Sequence, residues 1–443
     1  MRYTLLFLSA CFISSASLWA QASNSMTLAQ AKTYAIEHAF QVKSAQYAAQ
    51  TAKLQTDELI AIGLPQINGS VGYQNFIDRP TSILPGEFFG LPGQNIAVQF
   101  GVPQTMTFGL SASQLLFDGS WLIGLQASKA YAALQQKQIT KSEIDVKRAT
   151  EEAYQLAVIA KESVTLLSSS REILANTLEH TTALNKEGFV EEQDVQQLTL
   201  SLNELDNRIR STQLQAKIAL DLLKFTIGMP MDESIEVVEN SQQLLDLFNA
   251  QLLQTSFNTD NLIDNQILRD GIALQKLNVK NQQARLLPNL AAYYNWQRQA
   301  QRQEFNFLDN DQDWYPTQIW GLSMNIPILS GGAKNKAIQR AGVEVKKMEE
   351  TLAYSTNASK LEYNNALTEY TIATQNLVQA KSSYDLAQGI LHKTEIKFET
   401  GTVSSFELSR QTSQLLQAQG NLVQARLAVL NAQTKLSKSL NAL

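Results

Sequence analysis

FGLSASQLLFDGS (108–120) and WGLSMNIPILSGG (320–332) are one phrase written twice in a single chain. In the second copy Trp320, Leu322, Met324, Ile326 and Ile328 alternate with Gly321, Ser323, Asn325 and Pro327. Successive side chains of an extended strand point to opposite faces, so this period of two predicts a strand with one apolar face and one small or polar face. That pattern suits a strand standing between lipid and water, although a half-buried strand of a soluble sheet reads the same. Gly119 in the first copy and Gly331–Gly332 in the second mark the junction with the element that follows.

The repetition extends on both sides. LPQINGSVGYQNF (64–76) is answered by LPNLAAYYNWQ (287–297), where Leu290, Ala292, Tyr294 and Trp296 share a face opposite Ala291, Tyr293, Asn295 and Gln297. Pro65 and Pro288 each end a preceding helix, because proline disfavours helix in the residue before it. Further on, NKEGFVEEQDV (185–195) is answered by KFETGTVSSFEL (397–408). The chain is therefore an internal duplication. A first repeat, 23–229, holds a helix over about 27–62, strands 66–76 and 106–118, a long helix 121–185 and a helix 190–227. A linker covers 230–260. The second repeat, 261–443, holds a helix over about 262–286, strands 289–298 and 317–329, a long helix 333–398 and a helix 404–441.

Residues 121–185 and 333–398 contain no proline and are rich in Ala, Gln, Lys, Leu and Glu, all good helix formers. A helix of that length, at about 1.5 Å per residue, is a rod on the order of 100 Å long. After Gly188, Val195, Leu198, Leu202, Leu205, Ile209, Thr212, Ala216, Ala219 and Leu223 are spaced alternately three and four apart. After Gly401, Leu408, Gln411, Leu415, Ala418, Leu422, Ala425, Val429, Ala432 and Leu436 repeat that spacing. A repeat of about 3.5 residues keeps one seam against a partner helix, as in a coiled coil. Gly188 and Gly401 themselves read as turns between antiparallel helices.

Composition narrows the rest. The 443 residues include 36 Lys and Arg, 41 Asp and Glu, three His and one Cys, for a net charge of -5. An acidic balance gives no electrostatic footprint for nucleic acid. His38, His180 and His392 lack metal-ligand or triad spacing, and GGAKNK lacks the spacing of a phosphate-binding loop. The sequence thus points to no enzyme, no cofactor and no metal. MRYTLLFLSACFISSASLWAQA (1–22) reads as an export signal, cleaved after Ala22 or after Ala20. LSAC, ending at Cys11, also resembles a lipoprotein box, but the apolar run continues past it. Beyond this segment no apolar run reaches the roughly 18 residues of a spanning helix.

Four membrane strands per chain cannot close a barrel, and an open edge in hydrocarbon leaves unsatisfied N–H and C=O groups at several kcal/mol each. Three copies give twelve strands, an even number in the usual range. The expected fold is a mixed α+β membrane protein, internally duplicated, in which a homotrimer forms a 12-stranded transmembrane β-barrel continuous with a long α-helical coiled-coil barrel. Trp296, Trp314, Tyr315 and Trp320 are the candidate membrane-interface aromatics, in contact with outer-membrane lipid. A secreted or envelope-associated coiled-coil structural or adhesive protein without a pore is the alternative, but it leaves the strand pairs unexplained.

The doubled order of L-P-x-[IL] before a strand, [FW]-G-L-S in the next, a glycine at its end, and G-x-V after the long helix resembles the TolC family of outer-membrane efflux proteins. The resemblance covers essentially the whole mature chain. It implies a trimeric outer-membrane channel whose helical barrel crosses the periplasm. Such a channel is the passive exit duct of a tripartite efflux or type I secretion system, joined by a periplasmic adaptor (membrane fusion) protein to an inner-membrane transporter. In the family the helix tips coil inward to close the entrance, helped by an acid six residues after the turn glycine. Those positions here are Asp194 and Glu407. The family's best-studied gate has an aromatic, an arginine and a second acid where this chain has Phe398, Val403 and Arg410. The aromatic is kept and the arginine latch is lost. The expectation is an entrance closed by Phe398 and Val403, with Glu407 and Arg410 as a mixed-charge layer beside it.

Overall fold

The computed structural model describes residues 24–90, 92–248, 253, 257–309 and 311–442. The export segment, with Cys11, Ala20 and Ala22, lies outside the described residues, as does part of the 230–260 linker. In chain order the elements are β1 (Asn24–Met26), α1 (Leu28–His38), α2 (Phe40–Ile62), β2 (Gln66–Asn75), β3 (Thr81–Pro85), β4 (Asn95–Gln99), β5 (Gln104–Asp118), α3 (Gly119–Lys186), α4 (Glu192–Ile227), β6 (Ile235–Val237), α5 (Ser241–Asp246), α6 (Ile263–Ala284), β7 (Asn289–Arg302), β8 (Tyr315–Asn325), α7 (Ala333–Glu399) and α8 (Ser405–Ser439). The helices α3 and α7 run for 68 and 67 residues. No helix among the described residues is long and apolar enough to cross a membrane.

Two compact units divide the chain, and neither coincides with a sequence repeat. One gathers the chain up to Ser44, Thr140–Leu262 and the chain from Ala358. The other gathers Ala45–Ile139 and Ile263–Asn357. Each takes a share of both repeats.

The second unit is built on an antiparallel sheet of order β2-β5-β7-β8. All the helices that adjoin these strands do so at one end of the sheet. There Asp118 pairs with Asn289, and Asn289 pairs with Asn325. The connections 76–103 and 303–314 lie at the other end. Asp118 starts α3 by accepting from the N–H of Ser120 at 2.7 Å and of Trp121 at 3.0 Å. The Trp121 indole then donates to the carbonyl of Leu59 at 2.8 Å and fixes α3 against α2. A Cβ on Gly63 would stand 2.5 Å from that ring, so the helix end must be glycine there. The strand expected over 317–329 stops at Asn325, and Ile326 and Ile328 lie beyond it; Pro327 has no N–H to continue a ladder. The first connection holds a hairpin of its own, β3 paired with β4.

The first unit packs the far parts of α3 and α7 with α4 and α8. In α4 every position of the heptad series is at least partly buried, with Leu198, Leu205, Ile209, Ala219 and Leu223 fully so. In α8 the same series is joined by a second buried row that includes Ser409, Thr412, Gln419, Val423 and Thr434, so α8 is enclosed on two sides. The helix expected over 27–62 is broken at Ala39, which is extended (φ -62, ψ 135). Gly228, the left-handed residue ending α4, packs so tightly against that break that a Cβ would lie 2.6 Å from the His38 carbonyl oxygen. The linker contributes β6, which pairs in parallel with β1. Tyr154 ties the pair down by donating to Met26 O at 2.8 Å, and its hydroxyl also contacts Glu239. Burial, then that carboxylate, holds the Tyr154 phenol well above its usual range.

Candidate functional site

The helix tips belong to the first unit. Each long helix ends in the same left-handed turn: Gly188 has φ +78 and Gly401 has φ +69. Phe189 N–H returns to Leu184 O, and Thr402 N–H returns to Lys397 O, each at 2.9 Å. Gly188 and Gly401 donate to Asn185 O and Phe398 O, also at 2.9 Å. This pair of bonds closes a helix end on a residue with positive φ, where glycine is least strained.

The two acids that follow are used differently. Asp194 accepts the N–H of Glu191 at 3.3 Å within its own first turn, and the hydroxyl of Ser405 donates to its other oxygen. It therefore joins the start of α4 to the start of α8. Glu407 takes two bonds from Arg410, at 2.9 and 3.1 Å, and one from the Gln411 amide at 2.7 Å. The Arg410 bonds, then the Gln411 bond, lower the Glu407 carboxyl from its usual value. The Arg410 guanidinium is raised by the same pairing.

Phe398 departs from expectation. Only 8% of it is exposed; it lies in an apolar cluster with Leu174, Leu198, Leu391, Leu408 and Leu415, and Val403 packs against that cluster. Both side chains pack into the interior of the chain's own tip. The aromatics that the tips present are Phe189, 77% exposed, and Phe406, 66% exposed. Beside Phe398 lies a cleft of about 350 Å³ lined also by Ile173, His180, Glu395 and Glu399. Burial raises the Glu395 carboxyl, His392 opposes that shift and Glu399 adds to it.

The sheet of the second unit has two contrasting faces, set by its register. Ile67, Val71, Phe108, Leu110, Tyr294, Trp296, Trp320 and Leu322 fall on one. Asn68, Ser70, Ser111, Ser113, Asn295, Gln297, Thr317 and Ser323 fall on the other. Tyr315 pairs with Gln299 on the polar face, opposite the side that carries Trp296 and Trp320. Trp314 precedes β8 and its ring lies tilted against that of Phe108, with centres 5.0 Å apart. Pro65, Pro288, Gly331 and Gly332 sit between helix and strand, whereas Gly119 is the first residue of α3. A Cβ at Gly119 would meet Leu287 at 2.8 Å. Among the described residues no His, Cys, Asp and Glu cluster could hold a metal ion.

Residues 272–442 match the model of the family described as Outer membrane efflux protein. The match covers the second repeat, so that part of the chain is similar to this family. The chain's fold is that of solved outer-membrane channels. CmeC of Campylobacter jejuni matches with a TM-score of 0.70 at 15% identity, over 99% of this chain and 94% of that one. VceC of Vibrio cholerae matches with a TM-score of 0.68 at 14% identity, over 93% and 95%. MtrE of Neisseria gonorrhoeae, solved in an open state, matches with a TM-score of 0.66 at 14% identity, over 93% and 88%. No curated protein matches the sequence. Sequence reasoning missed two parts of the site, Ser405 and Trp121. The first is a small polar residue with no periodic signal; the second is one tryptophan among several.

Proposed function

We propose that three copies of this chain form the outer-membrane exit duct of a tripartite efflux or type I secretion system. A periplasmic adaptor and an inner-membrane transporter would deliver its substrates. The observation that carries this reading is the incomplete sheet. Strands β2 and β8 are both edges, and both faces of the sheet are largely uncovered, with Trp320 79% exposed. In water this surface invites aggregation. In a bilayer the edges must pair, and the apolar face meets lipid while the neutral polar face lines a lumen. Two further apolar rows support closure by like chains. Leu214, Ile218 and Phe225 stand exposed along α4, and Tyr354, Leu361, Ile372 and Leu386 along α7. Each row follows a helical spacing that a neighbouring helix can cover.

The polar face carries amides and hydroxyls but no charged side chain between Gln66 and Gln74 or between Asn289 and Gln301. Apart from Asp118, which is spent on the start of α3 at the helix end of the sheet, the strand section is a neutral passage, and ion preference arises elsewhere, with Asp194, Glu407 and Arg410 at the tips as proposed contributors. Gly188 and Gly401 would let the tips reorient as the entrance opens. The test is single-channel recording of the purified protein in planar bilayers. Discrete conductance steps are expected; a protein that washes from membranes without detergent and gives no steps would overturn the proposal.

A further inference from the structure

We propose that Arg298 binds a phosphate of an outer-leaflet glycolipid, holding the channel to the lipid that surrounds its outer rim. The inference rests on the reading above, that the apolar sheet face meets lipid with its hairpin end outward.

On that face only two strand residues are charged, Arg298 and Arg302, and they stand four apart on β7. Their surroundings are opposite. Arg302 is 8% exposed, lies under the connection 303–314, and donates to Asp313 O at 2.8 Å and Gln301 O at 3.2 Å. Its guanidinium also sits 6.0 Å from the Phe307 ring centre. Arg298 is exposed, pairs in register with Phe108 and Pro316, and has no hydrogen-bond or ionic partner among the described residues.

Its level on the face is marked by rings. Tyr73, Phe305 and Phe307 pack edge to face at 5.6–6.0 Å, and Trp314 contacts both Phe307 and Phe108. Such a cluster at the end of an apolar sheet face belongs at the boundary between hydrocarbon and headgroups. On the hydrocarbon side of Arg298 the face continues as Trp296, Tyr294, Ala292 and Leu290. An arginine inside hydrocarbon is strongly disfavoured in a barrel, and is tolerated near the interface, where its stem lies on apolar surface and its head reaches anions. A guanidinium with an unused fork of donors matches a phosphate bidentately.

The adjoining connection decides the source of that phosphate. It carries Glu304, Asp309, Asp311 and Asp313 and no Lys or Arg, so anions approaching from the water are repelled. A phosphate carried in the plane of the membrane avoids those acids.

The experiment uses the full-length protein in nanodiscs, with bound lipid counted by native mass spectrometry. The probes are bis-phosphorylated lipid A, its dephosphorylated form and phosphatidylglycerol. Arg298→Gln is expected to weaken retention of phosphorylated lipid A about tenfold, the loss of one charge-assisted contact. Arg298→Lys should restore part of it, and the dephosphorylated lipid should bind both proteins alike. Equal retention of phosphorylated lipid A by parent and Arg298→Gln overturns the proposal. Displacement by millimolar inorganic phosphate, or equal preference for phosphatidylglycerol, overturns the assignment to a glycolipid. Co-flotation of each protein with liposomes is the companion measurement: if the parent fails to float, the reading of the sheet as a membrane surface has failed, separately from the Arg298 claim.

Discussion

The helix tips and the strand sheet answer one question differently: what can a single chain complete by itself? At the tips the residues expected at the entrance find partners within the chain. Phe398 is enclosed by its own helices, Asp194 is bonded across to Ser405, and Glu407 is neutralised by Arg410. The sheet finishes almost nothing. Its outer strands have a free edge each, and its large apolar residues stand bare. The contrast teaches that tip substitutions act on one chain's stability, whereas sheet substitutions act on insertion and assembly.

Phe398→Ala is the strongest way to break that contrast. Emptying a buried phenylalanine site costs about 3–5 kcal/mol, here felt at the tip alone. Hydrogen exchange of the tip amides should accelerate while the strands stay protected. A higher resting conductance with unchanged tip protection would instead put Phe398 at the constriction, as the sequence suggests.

Leu322→Arg and Asn295→Arg sharpen the other side. The first puts a charge on the apolar face and should cost about 2–4 kcal/mol of folding stability in lipid, read from denaturant midpoints in bilayers. The second, on the polar face, should leave stability nearly unchanged and shift ion selectivity toward anions. Similar losses for both would mean that the faces are not divided between lipid and lumen.

Asp194→Ala should cost about 1–2 kcal/mol, since it removes a helix-start acceptor and strands the buried Ser405 hydroxyl. Glu407→Ala should cost far less, because a surface ion pair contributes little. Equal costs, measured by tip exchange, would erase the difference between the two acids.

The smallest effect is one of pH. Glu395 has a folded-state pKa above its ordinary value because it is buried, so protonation favours the packed tip. That contribution is full below the ordinary carboxylate range and is lost as pH rises through the raised pKa. Glu399 on α7 and His180 on α3 line the same cleft, and His392 lies 3.7 Å from Glu395 on its exposed side. Glu395→Gln should flatten the rise in tip exchange with pH over that window, after correction for intrinsic rates. An unaltered slope would remove Glu395 from the account.

How much of this was legible in the sequence depends on the length of each signal. The heptad positions of α4 and α8 carry their burial in a spacing sustained over nearly thirty residues, and none of them is exposed. The faces of the sheet are written in alternation, except at Tyr315, where a strand that begins one residue after Trp314 places a neighbour on the other side. The break at Ala39 leaves no signal in the local sequence; what packs against it is Gly228, far along the chain. Strands β1 and β6 are three residues each, too short to show a period. The direction of Phe398 was illegible for a related reason. A large apolar residue beside a turn fits a constriction and a core equally well, and only the positions of Leu174, Leu198 and Leu408 decide between them.

The central claim is that the sheet is one third of a barrel, and native mass spectrometry of the purified protein in detergent tests it most directly. The account predicts a stable homotrimer that survives dilution. A stable monomer or dimer, with β2 and β8 both unprotected from hydrogen exchange, would contradict it.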